Sequence, residues 1–286
     1  MTMTIPQSVT PDISALRLNP EDSLREAVVQ RREGFWFPEP KREALLKSLH
    51  LLANDPPRLR ERSIAIIAEA NNGKSALLAQ YLERHPRLSF EDRNVVPCIV
   101  IDMSKLKRVE DLSVALLKAL GDVDPEDGNH TRRLERFVAL SREVGLQLTF
   151  LDEFHEAATV DKGAPILKCI KGLMNDNVRI VPVGIESLQE VFHRDMQLSS
   201  RFQFGRGRLE RITDKKVIGS LMVHISGLLS TEINPAAVPY VLEQTSGVFG
   251  HVCDLIENTF LATGALTLEG LKAERELMDC LDHVHP

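Results

Sequence analysis

Long apolar runs are missing from this sequence: no stretch approaches the roughly 18 residues that a membrane-crossing helix needs, which excludes a helical membrane protein. Cysteine is sparse. The four residues, at 98, 169, 253 and 280, stand far apart, form no Cys-x-x-Cys pair and have no nearby histidine that would complete a zinc site. They are expected to be reduced, mostly buried thiols. The first residues, Met1-Thr-Met-Thr-Ile-Pro-Gln7, show no basic stretch followed by an apolar one. No secretory signal is therefore expected, and the expected compartment is the cytoplasm. Excess positive charge is absent too. With 35 basic and 41 acidic residues the net charge is −6, which argues against wholesale coating of nucleic acid and leaves room for a local basic strip. Internal repeats and low-complexity tracts are lacking. The chain does have length and apolar content: 286 residues, 43% hydrophobic and 27% charged, enough for one large or two modest domains with a real core.

The most informative residues are Gly73-Lys74-Ser75. They end an apolar run, Ser63–Ile67, and open a helical pattern, Ala76–Leu82. A helix N-terminus directs unpaired N–H groups and partial positive charge at whatever sits in the loop before it, so phosphate is its natural guest. In the full phosphate-loop motif Lys74 reaches the β- and γ-phosphates of a nucleoside triphosphate and the Ser75 hydroxyl ligates Mg²⁺. Asn71, Asn72, Gly73, Lys74, Ser75 and Ala76 are the candidate nucleotide contacts. One element departs from the motif, because Ala68 stands where glycine is usual and fits only if its φ stays negative. A second strand, Leu146–Leu151, runs into Asp152-Glu153. This is the layout of a Walker B element, with Asp152 at the metal and nucleotide and Glu153 polarising the attacking water. The two motifs lie 78 residues apart, room for an intervening strand and two helices.

Periodicity and breakers organise the rest. Residues 1–33 read as an N-terminal arm, with 1–20 mobile and a short helix over 24–32. An aromatic turn, Gly34–Pro40, carries the only tryptophan. Helices are expected over 41–53, from the phosphate loop to about 85, and over 109–120, 130–143 and 164–174. Strands are expected over 63–67, 95–102, 146–151 and 178–183. This alternation predicts an α/β domain over 34–212, with a parallel sheet covered by helices on both faces. Ligands bind at the carboxyl ends of such strands, where both motifs lie. From 213 to 286 only helices are expected, over 215–229, 235–245, 248–263 and 268–281, forming a small helical lid.

An α/β nucleotide domain followed by a helical lid resembles the AAA+ ATPases, and the wording within it resembles a narrower group. Ala68-Glu-Ala-Asn-Asn-Gly-Lys-Ser75 is similar to the phosphate loop of TniB/TnsC transposition ATPases, and Leu151-Asp-Glu-Phe-His155 to their Walker B. Val181-Pro-Val-Gly184 followed by Gln197-Leu-Ser-Ser-Arg-Phe202 is similar to a further segment of theirs, and Phe37-Pro38 and Ser246-Gly-Val-Phe-Gly250 also fit. The likeness spans about residues 30–265.

What this resemblance implies is an ATP- and Mg²⁺-dependent regulator of DNA transposition. Such proteins assemble as a homo-oligomeric ring or helical filament on duplex DNA, without sequence preference, and recruit a DDE transposase. A TniQ-like targeting protein is a further implied partner, and hydrolysis drives disassembly. Arg201 maps onto the arginine finger that completes a neighbour's site; the alternative is a surface salt bridge. Lys105, Lys107 and Arg108, then Arg132, Arg133 and Arg136, fall where the DNA-facing loops belong, with solvated surface charge as the alternative. Arg206, Arg208, Arg211, Lys215 and Lys216 form a third basic cluster, suited to subunit contacts. Two departures predict slow turnover. Gly184-Ile185 offers no Asn or Thr at the end of the fourth strand, and His251 stands where the lid usually presents arginine. A non-hydrolysing ATP-gated adaptor and another AAA+ initiator or loader are the competing functions.

Overall fold

The computed structural model describes residues 25–282 apart from 27, 31, 33, 58–60 and 158–162. The expected mobile arm over 1–20 lies outside the described residues, as does part of the helix expected over 24–32.

The chain enters the sheet through helix α1, Pro40–Ala53, whose proline at the first turn gives up an N–H that has no helical partner anyway. The first strand is interrupted, as β1 (Ser63–Ile64) and β2 (Ile66–Ala68). Helix α2, Lys74–Arg84, follows the phosphate loop. A hairpin of β3 (Leu88–Ser89) and β4 (Asn94–Val95) then leads into β5, Cys98–Asp102. Pro97 splits the strand expected over 95–102, since it has no N–H for a ladder. Helices α3 (Val109–Leu120) and α4 (His130–Glu143) match their expected bounds. Strand β6 is Leu148–Asp152, and the short helix α5, Phe154–Ala157, leaves it at once. Helix α6 is Gly163–Asn175 and β7 is Ile180–Gly184. Short helices α7 (Leu188–His193) and α8 (Met196–Ser199) lead to β8 (Phe202–Gln203) and β9 (Arg208–Leu209).

The main sheet has the order β5-β6-β7-β2-β9 and is parallel throughout. Strand β7 thus lies between the strand that ends in the phosphate loop and the strand that ends in Asp152. Strand β8 extends the outer edge by pairing with β1. Between β8 and β9 the backbone crowds Ala65: a Cβ on Gly207 would lie 1.8 Å from the Ala65 carbonyl oxygen, so only glycine fits.

Alternate strand residues feed two cores, as a sheet buried on both faces requires. Ile66, Ala68, Phe150 and Val183 pack with α1 and α2 through Leu45, Leu49, Leu77 and Tyr81. Ile67, Ile101, Leu151 and Ile180 pack on the other face with Leu112, Leu116, Phe137 and Ile170 of α3, α4 and α6. A third core belongs to the helices beyond the sheet: α9 (Lys215–Leu228), α10 (Val238–Thr245), α11 (Phe249–Thr263) and α12 (Leu268–Asp282). The helix expected over 235–245 is broken into a short 3-10 turn and α10. Val28, Phe37 and Ile212 join this helical core, so the segment before α1 packs against the lid. Among the described residues no helix is long and apolar enough to cross a membrane.

Candidate functional site

Strand β2 is almost wholly buried, and its last residue, Ala68, pairs with Leu209 of β9. Ala68 is not among the residues with positive φ. Its methyl group is therefore accommodated without strain, as the sequence required. The loop then turns through Asn71 (φ +57°) and Gly73 (φ +80°) into the first turn of α2. A Cβ on Gly73 would stand 2.4 Å from Nη1 of Arg42, so glycine is needed for both conformation and space. Lys74 is buried, and its ammonium folds back onto the carbonyl oxygens of Ala68 (3.4 Å) and Glu69 (3.3 Å).

A cavity of about 540 Å³ opens over this loop, within the range of small-molecule sites. Asn71, Gly73, Lys74, Ser75 and Ala76 line it from the loop, Glu153 and His155 from the end of β6. Arg32, Phe35, Phe249 and Cys253 line it from the segment before α1 and from the lid. Sequence reasoning missed these last four. Their signal was faint, because they become neighbours only when the N-terminal segment packs on α11. Arg32 is held by Asp254 and Glu257 at 2.9 Å each, and Phe35 stacks on Phe249 at 6.2 Å between ring centroids. Burial holds the Cys253 thiol up at about 12, so it is a protonated, packed group.

Asn72 has a different place from the one expected of it. Its side chain faces away from the cavity lining and is 1% exposed. Nδ2 donates to the Leu209 carbonyl oxygen at 2.9 Å, and Oδ1 accepts from the Phe249 N–H at 3.2 Å. The Asn72 carbonyl accepts from Nη2 of Arg42 at 3.1 Å. Arg42 is itself buried, paired with Glu39 at 3.2 Å, and stacked 4.3 Å over the Phe249 ring. One residue further into α11, the Gly250 N–H donates to the Asn71 carbonyl at 2.7 Å. The first N–H groups of the lid helix are thus satisfied by the phosphate loop, and loop and lid are tied together.

Asp152 lies at the sheet's carboxyl edge, in register with Asp102 of β5. Burial raises its pKa, while the Glu153 N–H bonded to it at 2.9 Å and the charge of Lys74 act the other way. A hydroxyl at Ser75 and a half-buried carboxylate at Asp152 are hard oxygen donors, and a divalent cation would offset the cost of burying that carboxylate. No cluster of three or more His, Cys, Asp or Glu side chains that could hold a metal exists among the described residues. This donor set fits Mg²⁺, which keeps its waters and takes one or two protein oxygens alongside phosphate. When bound, it would supply charge neutralisation at the phosphates.

The other expected residues are more scattered. Arg201 is not on the surface: it is 8% exposed, at the exit of α8, and donates to Oδ1 of Asn175 at 2.8 Å. His251 is exposed and does not line the cavity. Ile185 lines it with no polar atom in its side chain. Lys105 is exposed and paired with Asp102 at 2.8 Å, while Lys107 and Arg108 are exposed. In the second cluster Arg132 is exposed, but Arg133 donates to the Glu126 carbonyl oxygen and Arg136 is paired with Asp122 at 2.9 Å. The acidic loop over 121–128 therefore engages two of the three arginines. Arg108, Lys118 and Arg133 meet along one groove that also holds Glu110 and Glu126. In the third cluster Arg208 and Arg211 are bonded to Glu186 and Glu69, at 2.7 Å each.

The family model described as "Bacterial TniB protein" matches residues 28–209. No curated protein matches by sequence. Solved structures do match. The ORC2 protein of Aeropyrum pernix in its ADPNP–ADP complexes has a TM-score of 0.63 at 13% identity, with 82% of this chain and 66% of that chain covered. The ORC1 protein of Aeropyrum pernix in complex with DNA has a TM-score of 0.61 at 19% identity, with 84% and 66% covered. The Walker-type ATPase PABY2304 of Pyrococcus abyssi has a TM-score of 0.56 at 16% identity, with 89% and 77% covered. The chain spans about two thirds of the length of the two ORC proteins. These likenesses establish the fold: an AAA+ α/β domain with a helical region after it.

Proposed function

This chain belongs to the TniB family, and on that premise we propose that it is an ATP-driven regulator of DNA transposition. It binds ATP with Mg²⁺ in the cavity over the phosphate loop, assembles with its own kind on duplex DNA, and in that state recruits a DDE transposase. A TniQ-like partner directs the assembly to its target, and hydrolysis releases it. The observation that carries this reading is that Lys74, Ser75 and Glu153 line one cavity, with Asp152 beside Lys74, at the carboxyl ends of two strands that flank β7. Phosphoryl transfer demands mainly positioning and charge stabilisation. Lys74 supplies a cation, the first turn of α2 its unpaired N–H groups, and Glu153 a carboxylate that accepts a proton from water. The ORC1 structure in complex with DNA shares the fold and is compatible with duplex binding by this architecture.

Two measurements on the full chain test the reading: ATP affinity, and ATP turnover with and without duplex DNA. Lys74→Ala removes the loop ammonium that this reading assigns to the phosphates. A charged hydrogen bond is worth about 1.5–3 kcal/mol, so ATP binding should weaken roughly ten- to hundredfold and ATP-dependent retention on DNA should disappear with it. Unchanged affinity in that variant would refute the assignment. Binding without turnover, DNA present, would favour an ATP-gated adaptor over an ATPase.

A further inference from the structure

Strand β7 ends between the phosphate loop and Glu153, where a polar side chain could meet both water and phosphate. It offers Gly184 and Ile185, neither with a polar side-chain atom. The space over Gly184 is filled from the next strand instead. His155, in the first turn after Glu153, lines the cavity with its side chain 14% exposed. A Cβ on Gly184 would stand 3.1 Å from His155 Nδ1, so the imidazole occupies the volume that a side chain at 184 would take. The same nitrogen lies 3.4 Å from Oε2 of Glu153.

Three features set His155 apart from a packing residue. Its Nδ1 is shielded from solvent and has no hydrogen-bond partner, a state that costs about 1–3 kcal/mol for a buried polar atom. It takes part in none of the ring stacks among the described residues. And Glu153, which it faces, has φ +50°, a left-handed conformation costing on the order of 1–3 kcal/mol in a residue other than glycine. Carboxylate and imidazole are therefore held in proximity at a cost that packing alone does not require.

We propose that His155 is a positioning residue for ATP hydrolysis, taking over from β7 the task of orienting the Glu153 carboxylate and the water beside it. The inference rests on the hydrolytic reading above. In the step it serves, a water oxygen bonds to the terminal phosphorus while the bond from that phosphorus to the ADP oxygen breaks. The electron pair leaves with ADP, and the water proton passes to Glu153. With its proton on Nδ1, His155 donates to Glu153 Oε2 as that carboxylate turns toward the water. Nε2 remains on the side of Glu156, 3.7 Å away. The bare backbone at Gly184 is what makes room for the ring.

The test compares the parent chain with His155→Asn and His155→Phe. For each, ATP affinity is measured with a fluorescent ATP analogue, the melting temperature is taken without nucleotide, and turnover at saturating ATP is followed with duplex DNA. Asn keeps a donor at about the same reach, whereas Phe keeps the ring's volume and removes both nitrogens. All three proteins should bind ATP within about threefold of one another. His155→Phe should turn over roughly a hundredfold more slowly, the scale of a misplaced reacting group, and His155→Asn should recover most of the parent's rate. A packing role gives the reverse order, with Phe fast and Asn both slow and low-melting, and that result overturns the proposal. Equal rates in all three overturn it as well. A parent that binds ATP and never hydrolyses it overturns the underlying reading instead, a distinct result because no variant need be consulted.

Discussion

Asn72 shows how much a single side chain decides here. It carries both a donor and an acceptor, and it uses the first on Leu209 of β9 and the second on the N–H of Phe249 in α11. Aspartate could make only the second bond, and alanine neither. Because the residue is 1% exposed, water cannot replace what is lost. Two buried groups left unpaired cost about 1–3 kcal/mol each. We therefore expect Asn72→Ala to lower the free energy of unfolding by about 2–4 kcal/mol, measured by urea denaturation, and to weaken ATP binding by loosening the loop from the lid. Asn72→Asp should fall between the two. Full stability in the alanine variant would mean that Arg42, bonded to the Asn72 carbonyl, holds the loop unaided.

At the scale of elements, α4 sets which of its arginines are free to meet DNA on the proposed reading. The helix is capped by Asn129, whose side chain accepts from the Arg132 N–H at 3.0 Å, and its exposed first turn points Arg132 outward. The acidic loop claims the next residue, Arg133, and also Arg136 one turn further on. A phosphate contact contributes about 0.9 to the slope of log affinity against log salt. Replacing Arg108 and Arg132 together by alanine should lower duplex affinity and reduce that slope by up to about 2, read by anisotropy titrations at several salt concentrations. Arg136→Ala should leave the slope unchanged and destabilise the acidic loop instead. The elements themselves were legible where one physical signal dominated. Buried strands and amphipathic helices such as α3 and α4 read directly from apolar spacing, and their alternation pointed to a parallel sheet, though not to its strand order. What did not read was set by pairings between distant segments. Strand β9 is two residues long and exists because Ile67 and Ala68 give it a partner. The cavity's far wall depends on Phe35 meeting Phe249, a contact over more than two hundred residues. Asn72 looked like a ligand contact because its neighbours belong to the phosphate-loop pattern; only its bonds to β9 and α11 reveal the structural task. His155 was similarly opaque, since its meaning depends on the missing side chain at Gly184, one strand away.

On the scale of the whole molecule, the question is whether the site is complete within one chain. Its cations are Lys74, folded back on the loop carbonyls, and Arg32, already neutralised by Asp254 and Glu257. Transfer of a highly charged phosphoryl group favours a further arginine, and fingers supplied by a partner are worth about three to five orders of magnitude in rate. Arg201 is the residue that the family likeness assigns to this task. In the single chain it lies buried against Asn175, so serving a neighbour requires it to leave that bond and reorient as subunits meet. That requirement makes the two roles separable. If Arg201 only ties α6 to the exit of α8, Arg201→Ala should lower the melting temperature, and its hydrolysis should fall in proportion to the folded fraction. If it completes a neighbour's site, folded Arg201→Ala should still bind ATP with the parent's affinity while hydrolysing far more slowly. Mixing decides the matter. Lys74→Ala subunits hold ATP poorly but carry an intact Arg201, whereas Arg201→Ala subunits hold ATP but lack the finger. In mixed assemblies on duplex DNA some neighbours pair an intact loop with an intact finger, so activity should return above that of either variant alone. A mixture shown to co-assemble, yet no more active than its parts, would confine Arg201 to the core of its own chain.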